Sequence, residues 1–352
     1  MTLALLCTGQ GHQHAEMFRL TGDAPEAQTL FDAAHALLGW DPRLATGATD
    51  ATDSRHATDA RHAAGNVAGD AAELHALHTA AGVSATDAVD PQPDRFANRP
   101  AQVLCTLQAL VAHAALRDAL PRRLCIAGYS VGELAAWGIA GALTPLQTLH
   151  LAGDRADAMD AARAGEQGLL AIRGLDEDTV RALCETNHAA IAIANPDTAW
   201  VVGGMLADLD AVARAAQQRG AIRVTPIPVS IASHTPLMQT AAEAFMQRLL
   251  GTSMPGKLAV GARLFSGIDG AAVFDLRDGA TKLAAQIAQT IRWDACLQSC
   301  VEAGATAFLE LGPGHALADM AASAYPGVPA RSLDAFATLG SARDWIARVT
   351  ST

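Results

Sequence analysis

Residues 128–133 read Gly-Tyr-Ser-Val-Gly-Glu, and the rest of the chain is organised around this stretch. An apolar run at 124–127 precedes it and an alanine-rich run at 134–140 follows it, which predicts a strand before the stretch and a helix after it. The pattern G-x-S-x-G between a strand and a helix is typical of a nucleophile elbow, where a sharp turn exposes a serine hydroxyl. We therefore interpret Ser130 as a nucleophile, the alternative being a plain connector between a strand and a helix.

The composition narrows the class of protein. The chain has 352 residues, of which half are hydrophobic and only 4% aromatic, so we expect one large core built on aliphatic side chains with a smaller insertion. A net charge of −11 argues against nucleic acid or an anionic membrane as the main partner. No apolar run reaches the ~18 residues of a membrane span, and the N-terminal run has no basic leader. With six dispersed cysteines, these features predict a cytoplasmic protein with reduced thiols.

Residues 46–94 differ in composition from the rest of the chain. Ala, Asp, Thr and His dominate, and large apolar residues are scarce before Leu74, which is typical of a polar surface insertion. A metal site is the alternative, because His75 and His78 would be neighbours on a helix. No cysteine accompanies the histidines at 56, 62, 75 and 78, so we expect no metal ion and assign the segment no catalytic role.

The segment 165–228 alternates short apolar runs with helical patterns. The predicted order is strand, helix, strand, strand, helix, strand, at residues 168–172, 176–185, 189–193, 200–202, 206–219 and 222–227. This βαββαβ order is the ferredoxin-like pattern, which predicts a small separate unit.

Gln10 lies between two glycines in the loop after the apolar run 3–7. Flanking glycines let a backbone amide come close to a bound group. From this stretch alone, an ordinary turn is the simpler interpretation.

Two further polar residues stand in apolar surroundings. Arg155 lies on a helix that Thr144 and Pro145 begin, and a buried arginine needs an anionic partner. That partner is either an internal carboxylate, with Asp154 and Asp157 as candidates, or a bound anion. His234 follows an apolar strand and precedes a helix start, which would place it at a sheet edge beside another loop.

Taken together, these residues resemble the malonyl-CoA:acyl-carrier-protein transacylase family. That family carries a G-Q-G-x-Q loop, a G-x-S-x-G-E elbow, an arginine 25 residues after the serine, an S-H-x-x-L-M segment and a late E-x-G-P-G. The matching positions here are residues 9–13, 128–133, Arg155, 233–238 and 310–314. Residues 128–138 look most like the branch of the family that serves malonate decarboxylase.

The resemblance implies an α/β fold with two parts. An α/β-hydrolase-like large subdomain, residues 1–164 and 229–352, would carry an inserted ferredoxin-like small subdomain, residues 165–228. The polar insertion at 46–94 would belong to the large subdomain, and the active site would lie between the two parts.

The resemblance also implies a ping-pong reaction without a bound cofactor. Ser130 would attack malonyl-CoA, and His234 would take the hydroxyl proton and return it to the departing thiol. The malonyl group would then pass to the phosphopantetheine-type thiol of an acyl carrier protein. In the family a main-chain carbonyl orients the histidine, and the matching position is that of Arg292.

Substrate recognition follows from the same resemblance. The backbone amides of Gln10 and Val131 would form the oxyanion hole. Arg155 would hold the malonyl carboxylate in a bidentate pair and so select a diacid over a simple acyl group.

Three positions depart from the family pattern. Thr8 stands where proline usually precedes G-Q-G, Tyr129 replaces a common histidine, and Arg99 replaces a common glutamine before Pro100. We treat Tyr129 and Arg99 as candidate substrate contacts. Arg99 could serve the substrate carboxylate, the CoA phosphates or only the fold.

Rival functions remain at this point. A malonyl transacylase of fatty-acid or polyketide synthesis would use the same residues. A serine thioesterase or hydrolase would release free acid, but it has no use for a buried guanidinium facing the serine. A silent scaffold would not need both Ser130 and His234.

Overall fold

The computed structural model describes residues 1–44 and 94–351 of the chain. Apart from Asp94, the predicted insertion 46–94 and its histidines lie outside these residues. The strands are β1 Thr2–Cys7, β2 Arg123–Gly128, β3 Gln167–Arg173, β4 Ala190–Asn195, β5 Ala199–Met205, β6 Arg223–Ile227, β7 Ala262–Leu264, β8 Ile291–Arg292, β9 Ala305–Glu310 and β10 Ala330–Ser332. The α-helices, numbered over the described residues, are α1 Gln28–Leu38, α2 Asn98–Leu116, α3 Val131–Ile139, α4 Pro145–Ala162, α5 Glu177–Thr186, α6 Leu206–Gln218, α7 Gln239–Leu250, α8 Leu276–Ala285, α9 Trp293–Glu302, α10 Ala316–Ala324 and α11 Leu339–Thr350.

The first sheet is parallel throughout, in the order β10-β9-β1-β2-β7. Its central strand β1 is a continuous apolar run that is buried on both faces, as is usual for parallel strands covered by helices. Because the strands run in one direction, the carboxyl ends of β1, β2 and β9 meet at one edge, where open α/β sheets bind ligands. The Gln10 loop and Ser130 therefore lie at the same edge.

The second sheet has the order β6-β3-β5-β4-β8. Its first four strands are antiparallel, and with α5 and α6 they confirm the predicted βαββαβ order. Asp176 caps α5 by accepting from the Thr179 N–H, and acidic residues in the first turn suit the helix dipole.

The fifth strand of the second sheet is short and comes from later in the chain. Ile291 and Arg292 form β8, which pairs in parallel with Ile193 and Ala194 of β4. Helix α9 begins directly after it, at Trp293. This strand therefore comes from outside the segment 165–228.

Two helices determine where the site lies. The apolar helix α2 is buried along most of its length and packs against α3 and α4, as its composition predicts. Helix α4, which carries Arg155, begins with the predicted Thr144 cap and Pro145, and Gln147 completes a capping box. In the stretches 1–44 and 94–351, no helix has the length and apolar character needed to cross a bilayer.

Candidate active site

The turn at Ser130 has the geometry of a nucleophile elbow. Ser130 has φ 55° and ψ −121°, outside the regions that L-residues favour, between the end of β2 and the start of α3. A Cβ on Gly128 would lie 2.1 Å from the carbonyl carbon of Gly132, and one on Gly132 would lie 2.1 Å from the Cys7 carbonyl oxygen. Only glycine fits at either position, so the strand and helix can meet closely enough to expose the serine.

Ser130 and His234 form a hydrogen-bonded pair. The Ser130 Oγ lies 2.8 Å from His234 Nε2, and His234 is 1% exposed in the loop after β6. Its Nδ1 donates to the main-chain carbonyl of Gln286 at 2.5 Å, which leaves Nε2 as the acceptor facing the hydroxyl. Burial, followed by the positive charge of Arg155, lowers the pKa of His234 to about 3, so the imidazole is neutral at ordinary pH.

The assignment of the histidine-orienting carbonyl to Arg292 is wrong. The carbonyl belongs to Gln286, which comes directly after the last residue of α8. Its oxygen has no N–H donor within the helix and is free to accept from the histidine. Arg292 lies in β8, and its side chain bonds to Glu177 and Asp294. No side chain marks this position in the sequence, because every residue has a main-chain carbonyl and only the end of α8 leaves this one free.

The side chain of Gln286 connects the other groups of the site. Its Nε2 donates to the Ser130 carbonyl at 2.9 Å and to Glu133 Oε2 at 3.2 Å. Its Oε1 accepts from Arg155 Nη2 at 3.3 Å. One buried amide therefore contacts both the elbow and the arginine, which places Ser130, His234 and Arg155 around a common centre.

Arg155 is 1% exposed and is held by neutral acceptors. Its Nη1 donates to Gln102 Oε1 at 2.7 Å and to the Met159 sulfur at 3.2 Å, and Gln286 accepts from its Nη2. Neither Asp154 nor Asp157 accepts a hydrogen bond from it, so the predicted internal partners are not used. Burial lowers the pKa of Arg155 to about 10, opposed by Glu133, and the group stays charged at neutral pH.

These bonds leave one edge of the guanidinium available. A guanidinium has five N–H groups, and the bonds to Gln102, Met159 and Gln286 use two on Nη1 and one on Nη2. Nε has no partner among the described residues. Nη2 has a second N–H besides the one given to Gln286, and Nε–H with a neighbouring Nη–H is a donor pair that can bind a carboxylate in bidentate fashion.

The two backbone amides expected at the oxyanion hole lie beside the elbow. A Cβ on Gly9 would lie 2.7 Å from the Tyr129 carbonyl oxygen and 3.4 Å from Ser130 Cβ, so the Gln10 loop packs directly on the serine turn. Val131 is the first residue of α3. Within the part of the chain that is described, neither the Gln10 nor the Val131 N–H donates to a backbone carbonyl.

Both candidate substrate contacts engage protein groups. Tyr129 packs edge-on against Trp293, with ring centroids 5.4 Å apart, and burial raises its pKa to about 12. Arg99 forms an ion pair with Asp157 and lies against Gly153. The structure places Tyr129 in a packing contact and Arg99 in a partly exposed ion pair.

Two buried carboxyl groups flank the site. Glu133, which has no exposed surface, has its pKa raised to about 8 by burial, and its Oε1 has no partner among the described residues. Glu310 ends β9 and accepts from the Thr8 hydroxyl at 2.9 Å and from the Ala318 N–H at 2.8 Å. Burial raises the pKa of Glu310 to about 7. Thr8, a departure from the family pattern, thus provides a hydrogen-bond donor where proline would provide none.

A cleft of 560 Å³ has His234 in its wall. Its other walls come from α5, β4, β8 and the residues that follow α8, so the second sheet and the loop of His234 enclose it. Charged side chains line it, among them Glu177, Arg181 and Arg292. In residues 1–44 and 94–351, no cluster of His, Cys, Asp and Glu is arranged to hold a metal ion.

Comparisons with known proteins point to one family. The acyl transferase domain model matches residues 63–329. The malonyl CoA-acyl carrier protein transacylase of Mycobacterium tuberculosis is 32% identical over 243 residues, which is 68% of this chain and 79% of that protein. Among solved structures, MCAT from Mycobacterium tuberculosis superposes with a TM-score of 0.75 at 26% identity, covering 97% of this chain and 99% of that one. The acyl-carrier-protein S-malonyltransferase from Burkholderia pseudomallei 1710b gives 0.78 at 25% identity, covering 98% and 100%.

Proposed function

Since the chain belongs to the acyl transferase domain family, we propose that it transfers the malonyl group from malonyl-CoA to the prosthetic-group thiol of an acyl carrier protein, through a covalent intermediate on Ser130. The observation that carries this proposal is the side chain of Gln286, which bonds to both the Ser130 turn and Arg155. A nucleophile and a buried cation around one amide suit an acyl group that carries a negative charge at its far end.

The first half-reaction would load the serine. As Ser130 Oγ attacks the thioester carbonyl, His234 Nε2 takes the hydroxyl proton. The carbonyl oxygen becomes an oxyanion that accepts from the Gln10 and Val131 N–H groups. When the tetrahedral intermediate collapses, the C–S bond breaks and the CoA sulfur leaves with the proton from His234.

The second half-reaction would run in reverse on a new thiol. His234 takes the proton of the carrier's thiol, and the sulfur attacks the malonyl ester on Ser130. The C–O bond breaks, and the Ser130 oxygen takes back the proton from His234. The enzyme returns to its starting state with no cofactor consumed.

The base in this scheme is a neutral histidine with no carboxylate partner. The Gln286 carbonyl fixes which nitrogen carries the proton, as the carboxylate does in a Ser-His-Asp triad. The charge of Arg155 helps to lower the pKa of His234. A malonyl carboxylate bound to Arg155 would offset that charge, so the correct substrate would also make the histidine a stronger base.

The diacid would be selected by the available edge of Arg155. A malonyl carboxylate can accept from Nε–H and the remaining Nη2–H at the same time. An acetyl group has no charge to offer there and would leave the buried cation unpaired. The geometry therefore favours malonyl over acetyl transfer.

We also propose that the carrier is the carrier subunit of a malonate decarboxylase. The support is the sequence of residues 128–138, which resembles that branch most. A malonyl transacylase of fatty-acid or polyketide synthesis is the alternative. Pull-down of the carrier, followed by identification of its prosthetic group, would decide between these partners.

Mass spectrometry tests the chemistry. Purified protein mixed with malonyl-CoA should carry a malonyl ester on the Ser130 peptide, and added carrier should remove it with malonyl appearing on the carrier thiol. Free malonate released equally fast with and without carrier would show a hydrolase instead. An unmodified Ser130 peptide would show a scaffold.

A further inference from the structure

Gln102 is the acceptor that lies closest to the Arg155 guanidinium. It is fully buried on α2, and its Oε1 accepts from Arg155 Nη1 at 2.7 Å. Its Nε2 donates to Asn98 Oδ1 at 2.8 Å and to the Met159 sulfur at 3.4 Å. Because both amide hydrogens have acceptors, the oxygen must face the arginine.

Asn98 lies one turn earlier on α2 and ties Gln102 to two other elements. Its Oδ1 also accepts from Gln10 Nε2 at 3.3 Å. Its Nδ2 donates to the Ala156 carbonyl at 3.1 Å and to Asp160 Oδ1 at 3.0 Å, both on α4. The bonds of Asn98 thus connect the loop after β1, helix α2 and the helix that carries Arg155.

We propose that Gln102 is a specificity-determining residue, which holds the Arg155 guanidinium without neutralising its charge. Asn98, which bonds to both Gln102 and Gln10, fixes the position of Gln102 relative to the Gln10 loop. The inference rests on the proposed function, because it assigns the charge of Arg155 to the carboxylate of a diacid substrate. Nothing in the G-x-S-x-G pattern or in the histidine segment points to either residue.

The chemistry of residue 102 explains why an amide serves here. A carboxylate at this position would form an ion pair with Arg155 and take the place of the substrate's charge. An apolar side chain would leave an Nη1 hydrogen without a partner and let the guanidinium change orientation. An amide oxygen fixes the group and leaves its full charge for the ligand. Gln286 does the same from the other side.

The connection through Asn98 also bears on acyl chain length. Gln10 would supply an oxyanion donor at one end of the acyl group, and Arg155 would bind the carboxylate at the other. The bonds Gln10–Asn98–Gln102–Arg155 fix the spacing between these ends. Asn98→Ala should therefore narrow the preference for malonyl over the longer succinyl group.

The test measures how fast Ser130 is acylated by malonyl-CoA and by acetyl-CoA. We expect Gln102→Glu to slow malonyl loading by about 100-fold, since a charge pair replaces the anion site, while acetyl loading changes little. Gln102→Met, which removes the acceptor and the amide's bonds to Asn98 and Met159 but adds no charge, should slow malonyl loading by about tenfold. Equal slowing of both acyl groups, or malonyl loading at the wild-type rate, would overturn the proposal.

Gln108→Glu is the matched control. Gln108 is buried on the same helix, but its amide donates to the Leu311 carbonyl. The same substitution there should lower the melting temperature without separating malonyl from acetyl. If Gln108→Glu also slowed malonyl loading and left acetyl loading unchanged, a buried carboxylate anywhere on α2 would explain the result. Gln102 would then not determine specificity.

A binding measurement separates this inference from the proposed function. Failure of the wild type to load malonyl on Ser130 would contradict the proposed transfer reaction. Calorimetric binding of malonyl-CoA to Ser130→Ala and to Ser130→Ala/Gln102→Glu still tests residue 102, because it needs no chemistry. We expect the double variant to bind about 100-fold more weakly. Equal affinities of the single and double variants for malonyl-CoA would overturn the inference even if transfer occurs.

Discussion

His234 Nδ1 donates to the main-chain carbonyl of Gln286 at 2.5 Å. The orientation of the imidazole on its Nδ1 side therefore depends on the path of the backbone after α8 and not on a carboxylate side chain. The side chain of the same residue bonds to Arg155, to Glu133 and to the Ser130 carbonyl. One residue thus acts on the histidine through its backbone and on the acyl-binding side through its amide, and the two roles can be separated by mutation.

Gln286→Ala keeps the carbonyl and removes the amide. We expect acetyl loading of Ser130 to fall less than malonyl loading, because His234 keeps its orientation and only the bond to the Ser130 carbonyl is lost on the nucleophile's side. Malonyl loading should fall by about tenfold or more, since Arg155 loses an acceptor. Quenched reactions analysed by mass spectrometry give both rates, with Gln217→Ala, at an exposed position on α6, as the control. Equal loss of both reactions would contradict this separation of roles.

Arg155→Ala should reduce malonyl loading by orders of magnitude and raise acetyl loading relative to it, because the desolvated carboxylate loses its partner. Arg155→Lys should fall between, since lysine keeps the charge but not the bidentate edge. The measurement is kcat/KM for each acyl-CoA. Arg99→Ala, which removes only the partly exposed ion pair with Asp157, should leave the ratio unchanged. Equal loss of both substrates would assign Arg155 to structure.

Ser130→Ala should abolish the acyl-enzyme and leave the fold intact. The hydroxyl bonds to His234, and alanine can occupy the same turn at a cost similar to that of serine. Intact-protein mass after incubation with malonyl-CoA gives the first result, and the melting temperature gives the second. Acylation that persists in this variant would place the nucleophile elsewhere.

Gly132→Ala should destabilise the protein by more than about 1–3 kcal/mol, because overpacked backbone cannot move aside as a side chain can. The added Cβ would lie 2.1 Å from the Cys7 carbonyl oxygen, on the central strand. Urea unfolding measures the loss. Gly256→Ala is the control, since a Cβ there meets nothing within 4 Å. If both variants unfolded at the same urea concentration, the close packing of the elbow on β1 would be wrong.

Glu310 should make stability depend on pH. Its pKa is raised from 4.5 to about 7 in the folded protein, so the native state keeps a proton that the unfolded chain has lost. Its contribution to stability is therefore fully present below pH 4.5 and is lost as the pH rises through about 7. Glu310→Gln removes this pH-dependent contribution to stability, because glutamine does not ionise. The melting temperature of the wild type should fall relative to that of Glu310→Gln between pH 5 and pH 8, and parallel curves would contradict the assignment.

The sequence was most informative where the chemistry is local. The elbow at Ser130 depends on glycines within two residues, and the βαββαβ unit depends on periodicity, so both could be predicted. The partners of buried groups could not. Gln102 and Gln286 reach Arg155 from residues 53 and 131 positions away in the chain, and no local pattern marks such pairs.

The errors have the same origin. The histidine-orienting carbonyl was assigned to Arg292 because a position beside Trp293 was matched, whereas the carbonyl that is available is set by where α8 ends. Strand β8 was missed because two residues carry no periodicity. Asp157 was a candidate partner of Arg155, but its place on α4 directs it to Arg99.

The pairing of β4 with β8 has a consequence for engineering. A chimera that exchanged the segment from β3 to β6 for that of a relative would keep the original β8. The β4 strand of the relative would then have to pair with a β8 strand from a different protein. A mismatch would expose an unpaired edge, which invites aggregation. Grafts intended to change acyl specificity should therefore carry residues 291–292 along with the transplanted strands.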